Sequence, residues 1–275
     1  MTTSRAIGSA RPGLDLRTAA RLCGLLAAAL LSGCAVGPRI DTSYTAVSQG
    51  SRVETLILHY TALDFPTSLR VLTQQEVSSH YLVAVDPPTI YRLVDESQRA
   101  NHAGVSFWGR RHMLNPSSIG IEIVNLGYVE TPEGRRYFPY PPAQIDAVVA
   151  LVRDIVQRHR IPPERVLGHS DIAPGRKPDP GPLFPWKRLG EAGLALWPDE
   201  ARAASLRPGY EQALPDVAWF QQRLARLGYF VPLGGELDTA TRQVMVAFQM
   251  RFRPAKFDGE PDAECAALLA ALTSP

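Results

Sequence analysis

The chain has 275 residues, 45% hydrophobic and 20% charged, enough to build the core of one large domain or two ordinary ones. Its formal charge is +2, but residues 1–33 hold Arg5, Arg11, Arg17 and Arg21 against Asp15 alone, and the remainder has 25 basic and 26 acidic residues. A body so balanced gives no electrostatic reason to expect a nucleic-acid partner.

The N-terminus reads as a targeting signal. A basic stretch ends at Arg21, an apolar run follows from Leu22 to Leu31, and Ser32-Gly33-Cys34 comes next. Such a run spans about 15 Å as a helix, too short for a bilayer core of about 30 Å, and suits the centre of a signal peptide. The small residues before Cys34 resemble the bacterial lipobox, whose cysteine is diacylated and becomes the mature N-terminus. Residues 1–33 are then a leader, Cys34 the lipidation site and membrane anchor, and 34–52 a tether. By the same resemblance, Ala35 in place of an aspartate favours the outer membrane, facing the periplasm. Beyond Cys23 and Cys34 only Cys265 remains, so the mature chain has no intrachain disulfide. Set in Ala263-Glu264-Cys265-Ala266-Ala267, it reads as a buried structural thiol.

Thr55-Leu56-Ile57-Leu58 reads as a buried strand ending at His59, and residues 66–77 as a short helix. Residues 80–85 and 89–94 flank Asp86-Pro87-Pro88 and form a hairpin pattern. In the strand 118–124, Ile119, Ile121 and Ile123 alternate with Gly120, Glu122 and Val124, so Glu122 faces away from the isoleucines. Ile145, Val148, Val149, Val152, Ile155 and Val156 recur at helical steps through 142–159, until Ile161-Pro162-Pro163 stops the helix. Arg165-Val166-Leu167 is a short strand leading into Gly168–Gly181, a segment broken by prolines and glycines that reads as a loop. The alternation implies an α/β domain over 53–197, a mixed central β-sheet flanked by helices.

Residues 198–213, with Pro198, Asp199, Glu200, Pro208 and Gly209, read as a linker. Residues 214–275 change texture to a small all-α three-helix domain. Val217, Phe220, Leu224 and Leu227 make one apolar face; Val244, Ala247 and Phe248 make another. An internal echo, Gly235-Glu236-Leu237-Asp238 and Gly259-Glu260-Pro261-Asp262, places an aspartate N-cap before each of two helices.

A catalytic zinc takes three nitrogen or oxygen ligands and leaves a position for water. His59, His169 and Asp179 supply such a set; His80, His102, His112 and His159 compete on composition, and Asp171 competes with Asp179. His159, between Arg158 and Arg160, reads as a surface residue. Glu122, acidic within an apolar strand, is the candidate general base. Lys177 is a candidate oxyanion partner. Ser170 beside His169 and Asp171 suggests a serine hydrolase, but three adjacent residues cannot converge as a triad, and there is no Gly-x-Ser-x-Gly elbow.

Leu-His-Tyr-Thr-Ala (58–62), Ser-Ser-His-Tyr-Leu-Val (78–83), Asn-His-Ala-Gly (101–104), Asn-Pro-Ser-Ser-Ile-Gly-Ile-Glu (115–122) and Gly168–Gly181 occur in one order. Together they resemble the zinc N-acetylmuramoyl-L-alanine amidases related to peptidoglycan-recognition proteins. The resemblance implies that His59, His169 and Asp179 bind Zn2+, that Glu122 and Lys177 are catalytic, and that His102 and Asn115 are substrate-binding cleft residues. It leaves His80 structural and gives Asp171 to the architecture of the loop. Phe220–Tyr229 and Ala247-Phe248-Gln249 resemble the peptidoglycan-binding domain type 1, although Leu237-Asp238 replaces its usual Phe-Gly pair. Lipobox, catalytic domain and tail together look like the AmiD-type outer-membrane lipoproteins. The expected function is hydrolysis of the amide between N-acetylmuramic acid and L-alanine in peptidoglycan or muropeptides, in cell-wall turnover, by a monomer. A non-catalytic peptidoglycan-recognition module is the alternative.

Overall fold

The structure, a computed structural model, describes Met1 and residues 37–274; the expected leader and Cys34 lie outside the described residues. Residues 37–49 carry no helix or strand and are exposed. Gly50–Pro275 is one compact unit.

That unit begins with strand β1 (Thr55–Tyr60), helix α1 (Phe65–Gln74) and strands β2 (Tyr81–Val83) and β3 (Ile90–Arg92). Two short strands, β4 (Phe107–Trp108) and β5 (Arg111–His112), precede β6 (Ser118–Ile123), and a second ribbon, β7 (Tyr128–Thr131) and β8 (Gly134–Tyr137), follows it. Helix α2 (Pro142–His159) leads to β9 (Val166–Gly168), the short α3 (His169–Ile172) and α4 (Trp186–Glu191). The C-terminal part holds α5 (Glu200–Gln212), α6 (Val217–Leu227), α7 (Thr239–Phe252) and α8 (Ala263–Thr273).

The central sheet runs β3-β2-β6-β1-β9. All neighbours are parallel except the edge pair β2–β3, so the expected mixed sheet and hairpin are both present. Parallel strands are buried on both faces, and β1 is buried throughout. The two faces divide by parity. Leu56, Leu58, Ile119, Ile121 and Ile123 pack against Ile145, Val148, Val152 and Ile155 of α2 in the main core. Ile57 and His59 face the other way, beside their register partners Gly120 and Glu122. That second face carries the site.

Helix α2 spans the residues its periodicity predicts, with Pro142 in its first turn and Arg160 left-handed at its end (φ 57°). Helix α1 starts where the Asp64 carboxylate accepts from the Thr67 N–H.

Two expectations change. Residues 168–181 are not wholly a loop: β9 continues to Gly168, and His169–Ile172 make one helical turn. The prolines begin only at Pro174, so nothing bars that turn, and the Asp171 carboxylate fixes its start by accepting from the Gly168 N–H at 2.8 Å. Residues 198–213 are not an open linker, because α5 occupies most of them and packs along α8. Asp199 caps it, but Ala203 is its one buried residue, so no apolar stripe announces it.

Helices α6, α7 and α8 close over Phe220, Leu224, Val244, Phe248, Cys265 and Leu269. Cys265 is buried, and burial pushes its thiol up to about 12. The echo is structural. Asp238 and Asp262 each accept from an N–H three residues on. Buried Gln221 accepts from the Gly235 N–H and donates to the Glu236 carbonyl; buried Gln249 does the same with Gly259 and Glu260. Among the described residues no helix is long and apolar enough to cross a membrane.

Candidate metal centre and active site

Three parallel strands end side by side at the carboxyl end of the sheet. β1 delivers His59, β6 delivers Glu122 as its register partner, and β9 stops at Gly168 so that His169 emerges beside them. The chain then turns through 173–178 and returns with Asp179, held by the Ser170 N–H donating to the Asp179 carbonyl at 2.8 Å. Carboxyl ends of parallel strands are where such sheets present ligands.

His59 Nδ1 lies 3.1 Å from Asp179 Oδ2 and 2.9 Å from His169 Nδ1, and His169 Nδ1 lies 3.0 Å from the same oxygen. All three residues are buried. The far nitrogens show what the near ones hold. His169 Nε2 donates to the Ala103 carbonyl at 3.1 Å, which leaves its Nδ1 a bare lone pair. His59 Nε2 lies 3.0 Å from His102 Nδ1, His102 Nε2 lies 3.2 Å from Ser118 Oγ, and that hydroxyl donates to the Leu114 carbonyl at 2.7 Å. Run toward Leu114, this chain makes His59 Nε2 the donor and leaves its Nδ1 bare too. Two lone pairs and a carboxylate then meet with no proton between them, an arrangement that calls for a cation. Their separations approach the edges of about 3.3 Å of a tetrahedron with zinc–ligand bonds near 2.0–2.1 Å. The residues fit a metal ion.

Electrostatics agree. Burial lowers the His59 imidazole to about 4, with the neighbouring His169 adding to the effect. Burial opposes the charged form of Asp179, but His169 and His59 outweigh it and hold the carboxyl well below the usual range. Burial pushes Glu122 up to about 8; nearby Asp179 adds and Lys177 opposes. Glu122 Oε2 is enclosed and has no hydrogen-bond partner.

A cavity of about 180 Å³ opens on this group, lined by Tyr60, Asn101, His102, Glu122, His169 and Lys177 among others. Lys177 also borders a groove of about 350 Å³ walled by Tyr128, Tyr137 and Phe257.

The structure thus gathers His59, His169, Asp179, Glu122, Lys177 and His102. It does not bring Asn115 to the cavity, because its Oδ1 accepts from the His102 and Ala103 N–H groups and so shapes the loop that carries His102. His80 is structural: its Nδ1 accepts from the Gly120 N–H and its Nε2 donates to the Gln98 carbonyl. His112 is exposed on β5. His159 is more than a surface residue, lying 2.7 Å from both Ser51 Oγ and Glu96 Oε2, partners too distant in sequence to be foreseen. Sequence reasoning also missed Tyr60, whose hydroxyl is buried without a partner in the cavity-lining set. It missed the contacts of Asp171 with Tyr229 and Arg251 as well.

Residues 49–182 match the family model of N-acetylmuramoyl-L-alanine amidase, and residues 214–269 that of a peptidoglycan binding domain. The chain belongs to the N-acetylmuramoyl-L-alanine amidases. It is 43% identical over 261 residues to N-acetylmuramoyl-L-alanine amidase AmiD of Escherichia coli K12, spanning 90% of this chain and 94% of that one. Its fold matches AmiD from E. coli in complex with the substrate anhydro-N-acetylmuramic acid-L-Ala-D-gamma-Glu-L-Lys, with a TM-score of 0.79, covering 86% of this chain and 94% of that one at 43% identity. It also matches AmpDh3 from Pseudomonas aeruginosa, with a TM-score of 0.80, 43% identity, and coverage of 86% and 98%.

Proposed function

We propose that this amidase is zinc-dependent and cleaves the bond between the lactyl group of N-acetylmuramic acid and L-alanine, with anhydro-muropeptides among its substrates, in peptidoglycan turnover. The observation that carries this reading is the convergence of two bare imidazole Nδ1 atoms and one carboxylate beside the enclosed, unpartnered Oε2 of Glu122.

His59, His169 and Asp179 would hold the zinc, and His102 and the Ala103 carbonyl fix the two rings from behind. Zinc, when bound, supplies a Lewis acid that makes water more acidic and polarises a carbonyl. Glu122 accepts the proton of the attacking water at its enclosed carboxylate, whose ionised form a bound cation would favour. The Lys177 ammonium, at the mouth of the same cavity, stabilises negative charge on the former carbonyl oxygen. Glu122 then returns the proton to the leaving amine of L-alanine. Purified protein should carry about one zinc per chain and release stem peptides from cell-wall sacculi or anhydro-muropeptides; both left intact by zinc-loaded protein would refute the reading.

We assign residues 53–197 to the amidase domain and 214–275 to a peptidoglycan-binding domain, and place the chain at the outer membrane through lipid on Cys34. Residues 34–52 would then reach at most about 65 Å from the membrane. Radiolabelled palmitate should enter the protein and be lost in Cys34→Ser.

A further inference from the structure

The C-terminal helices do more than carry a second domain. Arg251 of α7, 3% exposed, extends out of the helical core into the amidase fold. Its Nη1 donates to Asp171 Oδ2 at 2.6 Å, and its Nη2 donates to the Val166 carbonyl of β9 at 3.1 Å. Its guanidinium lies over the Trp186 ring, 4.1 Å from the centroid. Tyr229, just beyond α6, donates its hydroxyl to Asp171 Oδ1 at 2.6 Å. Asp171, 1% exposed, therefore spends both oxygens on the C-terminal part, and Oδ2 also accepts from the Gly168 N–H.

These bonds form one continuous path. Gly168 is the residue before His169, and Ser170, the residue after it, donates its N–H to the carbonyl of Asp179. Arg251 and Tyr229 hold Asp171, Asp171 holds the start of the turn that presents His169, and that turn holds Asp179. There is little slack nearby, since a Cβ on Gly168 would stand 2.8 Å from Pro180. The seam continues through Trp108, which packs edge-on against Tyr229, and through the Gly109 N–H donating to the Gly228 carbonyl.

We propose that Arg251 and Tyr229 are positioning residues for the metal centre: the C-terminal helices set the metal-ligand turn 168–171 through Asp171. The proposal rests on the reading of His59, His169 and Asp179 as zinc ligands. Outer contacts that orient ligands are worth roughly 10–100-fold in metal affinity, and a buried carboxylate that loses its cation seeks another arrangement. The turn it caps moves with it.

The test is zinc affinity of the full chain, read by competition with a chromophoric chelator, in the wild type, Arg251→Met, Arg251→Lys and Tyr229→Phe. Phe230→Ala serves as a control, since it breaks a stack with Phe107 at the same seam but away from Asp171. Arg251→Met should weaken zinc roughly 10-fold or more and lower kcat, with KM within about twofold. Arg251→Lys should recover part of both, because the charge returns without the second arm. Tyr229→Phe, which keeps the ring and so the packing, should weaken zinc about three- to tenfold and decides the matter if Arg251→Met does not fold. Phe230→Ala should leave affinity unchanged. Variants that melt earlier yet bind zinc and turn over like the wild type would overturn the proposal, leaving these contacts as a plain interface. A wild type that binds no zinc would instead remove the metal centre, and the proposal with it.

Discussion

His59 and Glu122 are register partners on the parallel strands β1 and β6. Register partners on parallel strands project to the same face, so the proposed zinc ligand and the proposed base leave the sheet side by side. The parity that buries Ile119, Ile121 and Ile123 under α2 is what turns Glu122 toward the site. One sheet register therefore serves both the core and the chemistry.

Glu122→Gln removes the proton acceptor and preserves shape. It should retain zinc and lose about 10²–10⁴-fold in kcat, as expected for a general acid–base group. Kinetics on a defined muropeptide, alongside metal analysis, check both halves.

The same carboxyl gives metal-free protein a distinctive pH response. Burial raises Glu122 in the fold to about 8 from 4.5, so the folded chain keeps a proton that the unfolded chain releases. Its contribution is complete below pH 4.5 and is lost as pH rises through 8. His59 acts oppositely: it lies at about 4 in the fold against 6.5, so its neutral burial costs stability as pH falls from 6.5 to 4. Between pH 6.5 and 8, of these two groups only Glu122 contributes, and chelated wild type should lose about 2 kcal/mol. Urea midpoints across that range should show the fall, and Glu122→Gln should flatten it.

Lys177 is exposed at the cavity mouth, so its removal should leave folding and zinc content unchanged. Lys177→Met should lower kcat about 10²–10³-fold if its ammonium meets charge that develops during reaction. An unchanged kcat would leave Lys177 outside the chemistry.

Gly120 is the one residue type that fits beneath His102. A Cβ there would stand 2.5 Å from the His102 ring, in a buried strand where neither can retreat. Gly120→Ala should cost about 1–3 kcal/mol in urea unfolding. Because His102 backs His59, it should also weaken zinc measurably in chelator competition.

The site was legible where local pattern carries it. Strand parity placed Glu122, and the proline–glycine segment around His169 and Asp179 marked itself as irregular and rich in ligand-type residues. Physics alone left Asp171 and Asp179 tied; the resemblance to the amidases favoured Asp179, and the structure gives Asp171's oxygens other partners, Arg251 and Tyr229. Those partners lie 80 and 58 residues away, and no periodicity points across such a separation. Helix α5 was hidden for a different reason: with one buried residue it has no apolar stripe, and its polar, proline-containing sequence looks like a linker. Asn115 was misplaced because its side chain satisfies backbone N–H groups, a use that residue type alone does not disclose.

The most direct measurement is mass spectrometry of the products from a defined anhydro-muropeptide, incubated with purified protein as isolated, after chelation, and after zinc is restored. Free stem peptide beginning at L-alanine should appear together with the intact sugar, disappear with it on chelation, and return when zinc is restored. Cleavage that persists in fully metal-free protein, or at a bond other than the lactyl–L-alanine amide, would contradict the zinc-amidase reading.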